Sequence, residues 1–269
     1  MNTKSHKLIL IFAFLLFFGC SPVYADDYQD GLDAYLKQDF KTVFEKWKPL
    51  AEQGDANAQY NLGYMYAKGQ GVPQDDKEAV KWYRLSAEQG YAKAQYNLGL
   101  MYSNGQGVPQ DDKEAVKWFR LSAEQGDAIA QYSLGVMYDR GRGVTQDYKE
   151  EVKWYRLSAE QGNAIAQLNL GTMYYNGRGV TQDDKEAVKW FRLSAEQGKA
   201  SAQYNLGTMY YNGRGVPQDD KEAVKWFRLA GSNGDKDAVK NRGIIEKRMT
   251  PQQIEKAQEM ARNWKPKTK

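Results

Sequence analysis

The chain has 269 residues and a formal charge of +4, with 41% hydrophobic and 27% charged residues, a folded globular composition rather than that of a disordered segment. Its one Cys (Cys20) and one His (His6) both precede Asp26. From Asp26 onward a Ser–His or Cys–His nucleophile system, a His/Cys zinc site and a disulfide are all excluded.

Lys4, His6 and Lys7 precede eleven unbroken apolar residues, Leu8 to Phe18, too few to cross a bilayer as a helix. This is the pattern of a secretory leader over 1–25. Val23 and Ala25 have the small-residue spacing of a cleavage site, which would start the mature chain at Asp26. The alternative is lipidation of Cys20 within "FGCS", which would tether the protein to a membrane. Phe17 is an unusual residue at the start of that signal, so cleavage after Ala25 is preferred. Either route exports the protein, to the periplasm or the exterior, or to the outer membrane as a lipoprotein.

Gly63, Gly99, Gly135, Gly171, Gly207 and Gly243 recur every thirty-six residues, and so do Trp82, Trp118, Trp154, Trp190 and Trp226. Five units follow, 55–90, 91–126, 127–162, 163–198 and 199–234. Residues 26–54 are expected to form a shortened N-terminal capping unit without the glycine loop, its Trp47 one position out of register. Within the first unit, Ala58, Leu62, Met65 and Tyr66 share one helical face. "GQGVPQD" interrupts the periodicity, and Asp75 with Glu78 three residues later opens a second helix that ends at Gly90. Ala79, Val80, Trp82, Tyr83 and Ala87 are its expected buried stripe, and Gly63 is expected to let the two helices approach closely. Residues 235–269 are expected to give a half repeat and a capping helix that starts with Thr250 as N-cap and Pro251 in the first turn. From Lys236 to Lys269 there are ten Lys/Arg against four Asp/Glu, so the tail is basic; it is read as a solvated final helix. The interleaved charges predict no nucleic-acid partner.

The pattern A-x-A-Q-x-x-L-G-x-x-Y-x-x-G-x-G-V-x-x-D, followed by K-E-A-V-K-W-[YF] and closing on E-Q-G, resembles the Sel-1-like repeat family, a relative of the tetratricopeptide repeat. The resemblance covers residues 28–264. It implies an all-α fold, a right-handed α/α superhelical solenoid of helix-turn-helix repeats whose first helices line a concave face. It also implies adaptor roles in envelope assembly, secretion, signalling and host contact. Some bacterial members carry a disulfide in each unit and have been linked to β-lactam binding; this sequence has no repeat cysteines and departs from that subgroup.

Variation between the copies concentrates on the first helix. The sixth position of each unit is Tyr60, Tyr96, Tyr132, Leu168 and Tyr204, and the seventh is Asn61, Asn97, Ser133, Asn169 and Asn205. The tenth is Tyr64, Leu100, Val136, Thr172 and Thr208, and the thirteenth is Ala67, Ser103, Asp139, Tyr175 and Tyr211. These positions share a face opposite the Ala58/Leu62/Met65/Tyr66 stripe. Stacking would build a near-neutral ladder of Tyr and Asn that suits a peptide backbone, and a glycan almost as well. The candidate partner-binding residues are Tyr60, Asn61, Tyr64, Tyr96, Asn97, Leu100, Tyr132, Val136, Asn169, Thr172, Tyr204, Asn205 and Thr208. The competing reading is that Tyr and Asn only pack between neighbouring first helices.

The acidic pairs Asp75/Asp76, Asp111/Asp112, Asp183/Asp184 and Asp219/Asp220 are read as helix caps rather than as a catalytic or metal site, because Tyr148 replaces one member in the middle unit. The leucines Leu85, Leu121, Leu157, Leu193 and Leu229 are expected to pack against the next unit; the alternative is an apolar ridge for a second partner. The loop position Gln70, Gln106, Arg142, Arg178, Arg214 becomes basic toward the C-terminus, with no function assigned. The reading is an exported, non-enzymatic scaffold that binds a protein or peptide through the concave face, with no cofactor and no metal. The alternatives are a glycan- or peptidoglycan-associated envelope factor and a cell-wall or β-lactam-reactive enzyme.

Overall fold

The computed structural model describes residues 22–267. The leader expected over 1–25 lies outside them, Cys20 included, except that 22–25 open the first helix. α1 (Pro22–Leu36) and α2 (Phe40–Glu52) form a shortened leading pair. Five pairs follow: α3 (Ala56–Lys68) with α4 (Asp76–Glu88), α5 (Ala92–Asn104) with α6 (Asp112–Glu124), α7 (Ala128–Arg140) with α8 (Tyr148–Glu160), α9 (Ala164–Asn176) with α10 (Asp184–Glu196), and α11 (Ala200–Asn212) with α12 (Asp220–Ser232). α13 (Lys236–Glu246) and α14 (Pro251–Arg262) close the stack. The described residues contain no strand, and no helix among them is long and apolar enough to cross a membrane.

Each helix boundary has a local cause. The second helices begin where Asp75, Asp111, Asp147, Asp183 and Asp219 accept from the N2 and N3 amides, satisfying donors that a helix start leaves free. The first helices end on Gly69, Gly105, Gly141, Gly177 and Gly213, all left-handed at φ between 63° and 68°. The cap at the start of the first helix is dispensable by comparison. Tyr91 and Lys199 stand there without a side-chain bond, and those helices form all the same because α5 packs on α4 and α6, and α11 on α10 and α12.

Within a pair, glycine sets the distance between helices. A Cβ on Gly135 would lie 2.6 Å from a Tyr155 ring carbon, and one on Gly99 would lie 2.7 Å from Phe119. Trp47 obeys the same rule. It is buried against Gly31 and stacks on Tyr28, with centroids 5.7 Å apart. It therefore holds the place of Tyr83, thirty-six residues on, rather than a displaced Trp82 position. In α13 the register persists, but Gly243 receives no aromatic, because α14 packs on α12 instead of closing a sixth regular pair.

Between pairs the core is continuous. Trp190 of α10 is buried with Val152 and Tyr155 of α8 and with Leu170 and Met173 of α9, so each tryptophan fastens its own repeat to the one before. A buried polar ladder runs alongside. Gln131 donates to the Ala123 carbonyl at 3.1 Å and accepts from the Gln161 amide at 2.8 Å, and Gln59, Gln95, Gln167 and Gln203 are buried in the same way. Gln131→Leu leaves the Gln161 amide and the Ala123 carbonyl without those bonds, so it is expected to cost about 1–3 kcal/mol. A urea unfolding midpoint equal to the parent's would contradict that role.

Candidate functional site

On the face built by the first helices, the tyrosines at position six and the polar residues at position seven meet across repeat boundaries. Asn61 donates to the Tyr28 hydroxyl at 3.1 Å, and Asn241 donates to the Tyr204 hydroxyl at 3.2 Å. Asn97 stands near the phenols of Tyr60 and Tyr83, Ser133 near that of Tyr96, and Asn169 near that of Tyr155, without the hydrogen bonds that Asn61 and Asn241 make. In each case burial pushes the phenol up and the facing polar group pulls it down, with burial the larger effect. Each ring also rests on the second-helix aromatic of its own pair, with centroids 5.9 Å apart for Tyr60–Tyr83, 5.7 Å for Tyr96–Phe119, 5.5 Å for Tyr132–Tyr155 and 5.6 Å for Tyr204–Phe227. Tyr60, Tyr96, Tyr132 and Tyr204, with Asn61, Asn97 and Asn169, thus sit half-buried in contacts between and within repeats. Tyr64, Leu100 and Val136 at position ten are half-buried against the clusters that join their own repeat to the next.

One rung of this ladder is missing. Beside Asn205 the position-six residue is Leu168 and the second-helix aromatic is Phe191, so neither neighbour carries a hydroxyl. Asn205, whose carboxamide like those of Asn97 and Asn169 makes no hydrogen bond among the described residues, lines a cavity of about 270 Å³. Thr172, Tyr175, Asn176, Phe191, Tyr204, Thr208 and Met209 complete the walls. Thr172 and Thr208 turn their hydroxyls back to the Leu168 and Tyr204 carbonyls at 3.0 and 3.1 Å, which leaves their methyl groups to the cavity. A second cavity of about 210 Å³ repeats the design one unit later around Thr208, Tyr211, Asn212 and Phe227. Sequence comparison marked Thr172, Asn205 and Thr208, and the structure brings them together. Tyr175, Tyr211, Asn176 and Phe191 join them only through packing; the available signal was that position ten shrinks to Thr where position thirteen grows to Tyr.

The rims of both cavities are braced by ions. Arg214 makes a two-pronged contact with Asp184 at 2.8 and 3.0 Å and lies 4.1 Å from the Tyr175 ring centroid. Arg248 holds Asp220 at 2.5 and 2.9 Å and covers Tyr211. Arg142 clamps Asp112 in the same manner, so at this loop position Arg142 and Arg214 tie their repeats to the helix start of the one before. The first Asp of each acidic pair is a cap, as read from the sequence, whereas the second serves the following repeat's arginine where one is present. Tyr148 breaks the pattern, and Arg178 pairs at 2.6 Å with Glu151, which stands where the other repeats have alanine. Burial pushes the Glu151 carboxyl up to about 7 in spite of Arg178. Among the described residues no group of three or more His, Cys, Asp or Glu is arranged to hold a metal ion.

The second helices carry a different surface. Leu85, Leu121, Leu157 and Leu193 are not covered by the next unit as expected; they are 37–39% exposed in a periodic row. A further ladder on these helices went unread in the sequence. Arg84 donates to the Tyr102 hydroxyl at 2.5 Å and Arg120 to Tyr138 at 2.6 Å, and Arg156 with Tyr174 and Arg192 with Tyr210 repeat the contact.

The model of the Sel1 repeat matches residues 56–91, 92–127, 128–163, 164–199 and 200–235. The chain belongs to the Sel1 repeat family. Among solved structures, this Sel1 repeat protein is similar to a protective antigen present in uropathogenic Escherichia coli strains that displays an SLR fold, at 39% identity and a TM-score of 0.82 over 89% of this chain and 52% of that one. The chain thus spans about half the length of that antigen. It is also similar to a Sel1 repeat protein from Oxalobacter formigenes, at 35% identity and a TM-score of 0.75, covering 87% of this chain and 98% of the other. No curated protein matches it. Sel1 repeats build α/α solenoids that generally act as protein-interaction scaffolds, and the fold described above is of that kind.

Proposed function

We propose that the protein is an exported, non-enzymatic scaffold that captures an extended peptide segment of a protein partner on its first-helix face, anchored in the cavity at the missing rung. The observation that carries this is the cavity at Asn205, where the half-buried carboxamide has Leu168 and Phe191 beside it in place of the tyrosine hydroxyls that flank the preceding rungs. A carboxamide offers one acceptor and two donors, which matches a peptide group in an extended strand. The Phe191, Tyr175 and Tyr204 rings and the threonine methyls would receive an apolar side chain beside it, and the twin cavity one repeat on would receive another. Rings held by stacking and ion pairs lose little freedom on binding. Export rests on the leader pattern over 1–25.

A photo-reactive residue at the exposed position of Thr172, introduced in the native host, is expected to give an adduct that trypsin degrades. Asn205→Ala is expected to weaken the adduct about five- to thirty-fold, as loss of one or two hydrogen bonds implies, with unchanged helical content. An adduct released by muramidase, or one indifferent to Asn205→Ala, would sink the peptide reading.

A further inference from the structure

The chain shows on itself what its second-helix face accepts. α14 lies across α12, and its end carries Trp264 onto Trp226, with ring centroids 6.3 Å apart, beside Leu229 and Ala261. Three residues on, Lys267 donates its backbone amide to the Glu196 carbonyl and its ammonium to the Glu196 carboxylate, both at 2.8 Å. Leu229 is consequently 8% exposed, where Leu193 is 38% exposed. The groove between α10 and α12 is thus filled by a tryptophan and closed by a lysine.

One repeat earlier, the groove between α8 and α10 is an open cavity of about 470 Å³. Its walls are thirty-six-residue counterparts of the filled one: Trp190 for Trp226, Leu193 for Leu229, Ala159 for Ala195 and Glu160 for Glu196. Glu160 ends α8 as Glu196 ends α10, so its carbonyl belongs to the last turn that a helix leaves without an internal donor. Its carboxylate is exposed and makes no ion pair among the described residues. Lys267 stands at the edge of this cavity, so the new groove continues an interface that already exists.

We infer that the α8/α10 groove is a docking site for a separate protein whose helix end carries a tryptophan followed three residues later by a lysine, the indole filling the cavity and the ammonium pairing with Glu160. A second copy of this chain is the poorer occupant. Its own Trp264 would have to leave a groove of the same composition, so the exchange gains nothing. The site shares no lining residue with the first-helix cavities and does not depend on them.

The test uses the full chain from Asp26 and a synthetic peptide of residues 257–267, AQEMARNWKPK, with a diazirine residue next to the tryptophan. Adducts mapped by mass spectrometry are expected on α8 and α10, saturating with peptide. They should fall at least ten-fold when the peptide's tryptophan becomes alanine and at least five-fold in the Glu160→Lys chain, whose substituted side chain is exposed and whose fold circular dichroism verifies. Adducts confined to α12 would mean exchange with the chain's own tail and would overturn the inference. Adducts on the first helices, indifference to the tryptophan, or a peptide-independent dimer by light scattering would each overturn the inference.

Discussion

Gly143→Ala is expected to destabilise the protein by about 3 kcal/mol or more, whereas Gly90→Ala costs only about 1–2 kcal/mol, although both glycines have positive φ (68° and 90°). The difference lies in what a methyl group would meet. At Gly90 nothing stands within 4 Å of the new Cβ. At Gly143 it would lie 2.1 Å from the Asp112 carbonyl oxygen and 2.4 Å from the carbonyl carbon, which are backbone atoms of the preceding repeat and cannot swing aside. Relief requires the loop to lift, and lifting it pulls Arg142 from Asp112. Because a solenoid is stabilised through nearest-neighbour interfaces, the loss acts at the boundary between the second and third repeats. Urea unfolding followed by circular dichroism is expected to split into two transitions for Gly143→Ala and to stay single for Gly90→Ala. Equal midpoints would show that left-handed backbone alone, and not the contact with Asp112, is what demands glycine.

Glu151→Ala is expected to stabilise the protein at pH 8 and to remove a pH dependence that the parent shows. The other repeats have Ala79, Ala115, Ala187 and Ala223 there, all fully buried, and Glu151 is equally inaccessible. Its Oε1 meets Arg178 at 2.6 Å, its Oε2 has no partner among the described residues, and Asp139 draws on the same arginine at 3.3 Å. The carboxyl is pushed from 4.5 up to about 7, chiefly by burial. A carboxyl raised in this way binds its proton more tightly folded than unfolded. Between about pH 4.5 and 7 the native state therefore holds more protons, and stability falls as pH rises through that window. The full loss, on the order of 3 kcal/mol, is reached above about pH 7. Arg178→Ala is expected to act in the opposite sense to Glu151→Ala at pH 8, costing about 3–5 kcal/mol because a buried carboxylate loses its cation, and to cost much less at pH 4.5. A flat stability profile from pH 4.5 to 8 in the parent would refute both expectations.

The period was legible because one helix pair cannot bury its own apolar face, so the same buried stripe and the same caps must return at each unit. Asp75 and Gly69 act within one or two turns of chain, and their effects could be read from their neighbours alone. The close approach at Gly63 was equally plain, since a residue without a Cβ facing an aromatic on the next helix has few other uses. Trp47 was misread because tryptophan was matched with tryptophan; what decides its place is the spacing to Gly31, and either aromatic serves against a glycine. The leucine row was misjudged for a related reason. Whether a position at the edge of a helical stripe is covered depends on the angle between successive pairs, which no single repeat encodes.

By itself the sequence determined the all-α repeat, its helix limits, its family and the face on which the copies differ. Only the tertiary structure decided that Asn61 and Asn241 reach the hydroxyls of the preceding repeat, that Leu168 and Phe191 together leave Asn205 without one, and that α14 turns back across α12 to fill one groove of several. These outcomes hang on contacts between residues thirty or more positions apart, where a small change in pair-to-pair rotation alters every partner. The local pattern that specifies each helix carries no information about that rotation; the packed interfaces do.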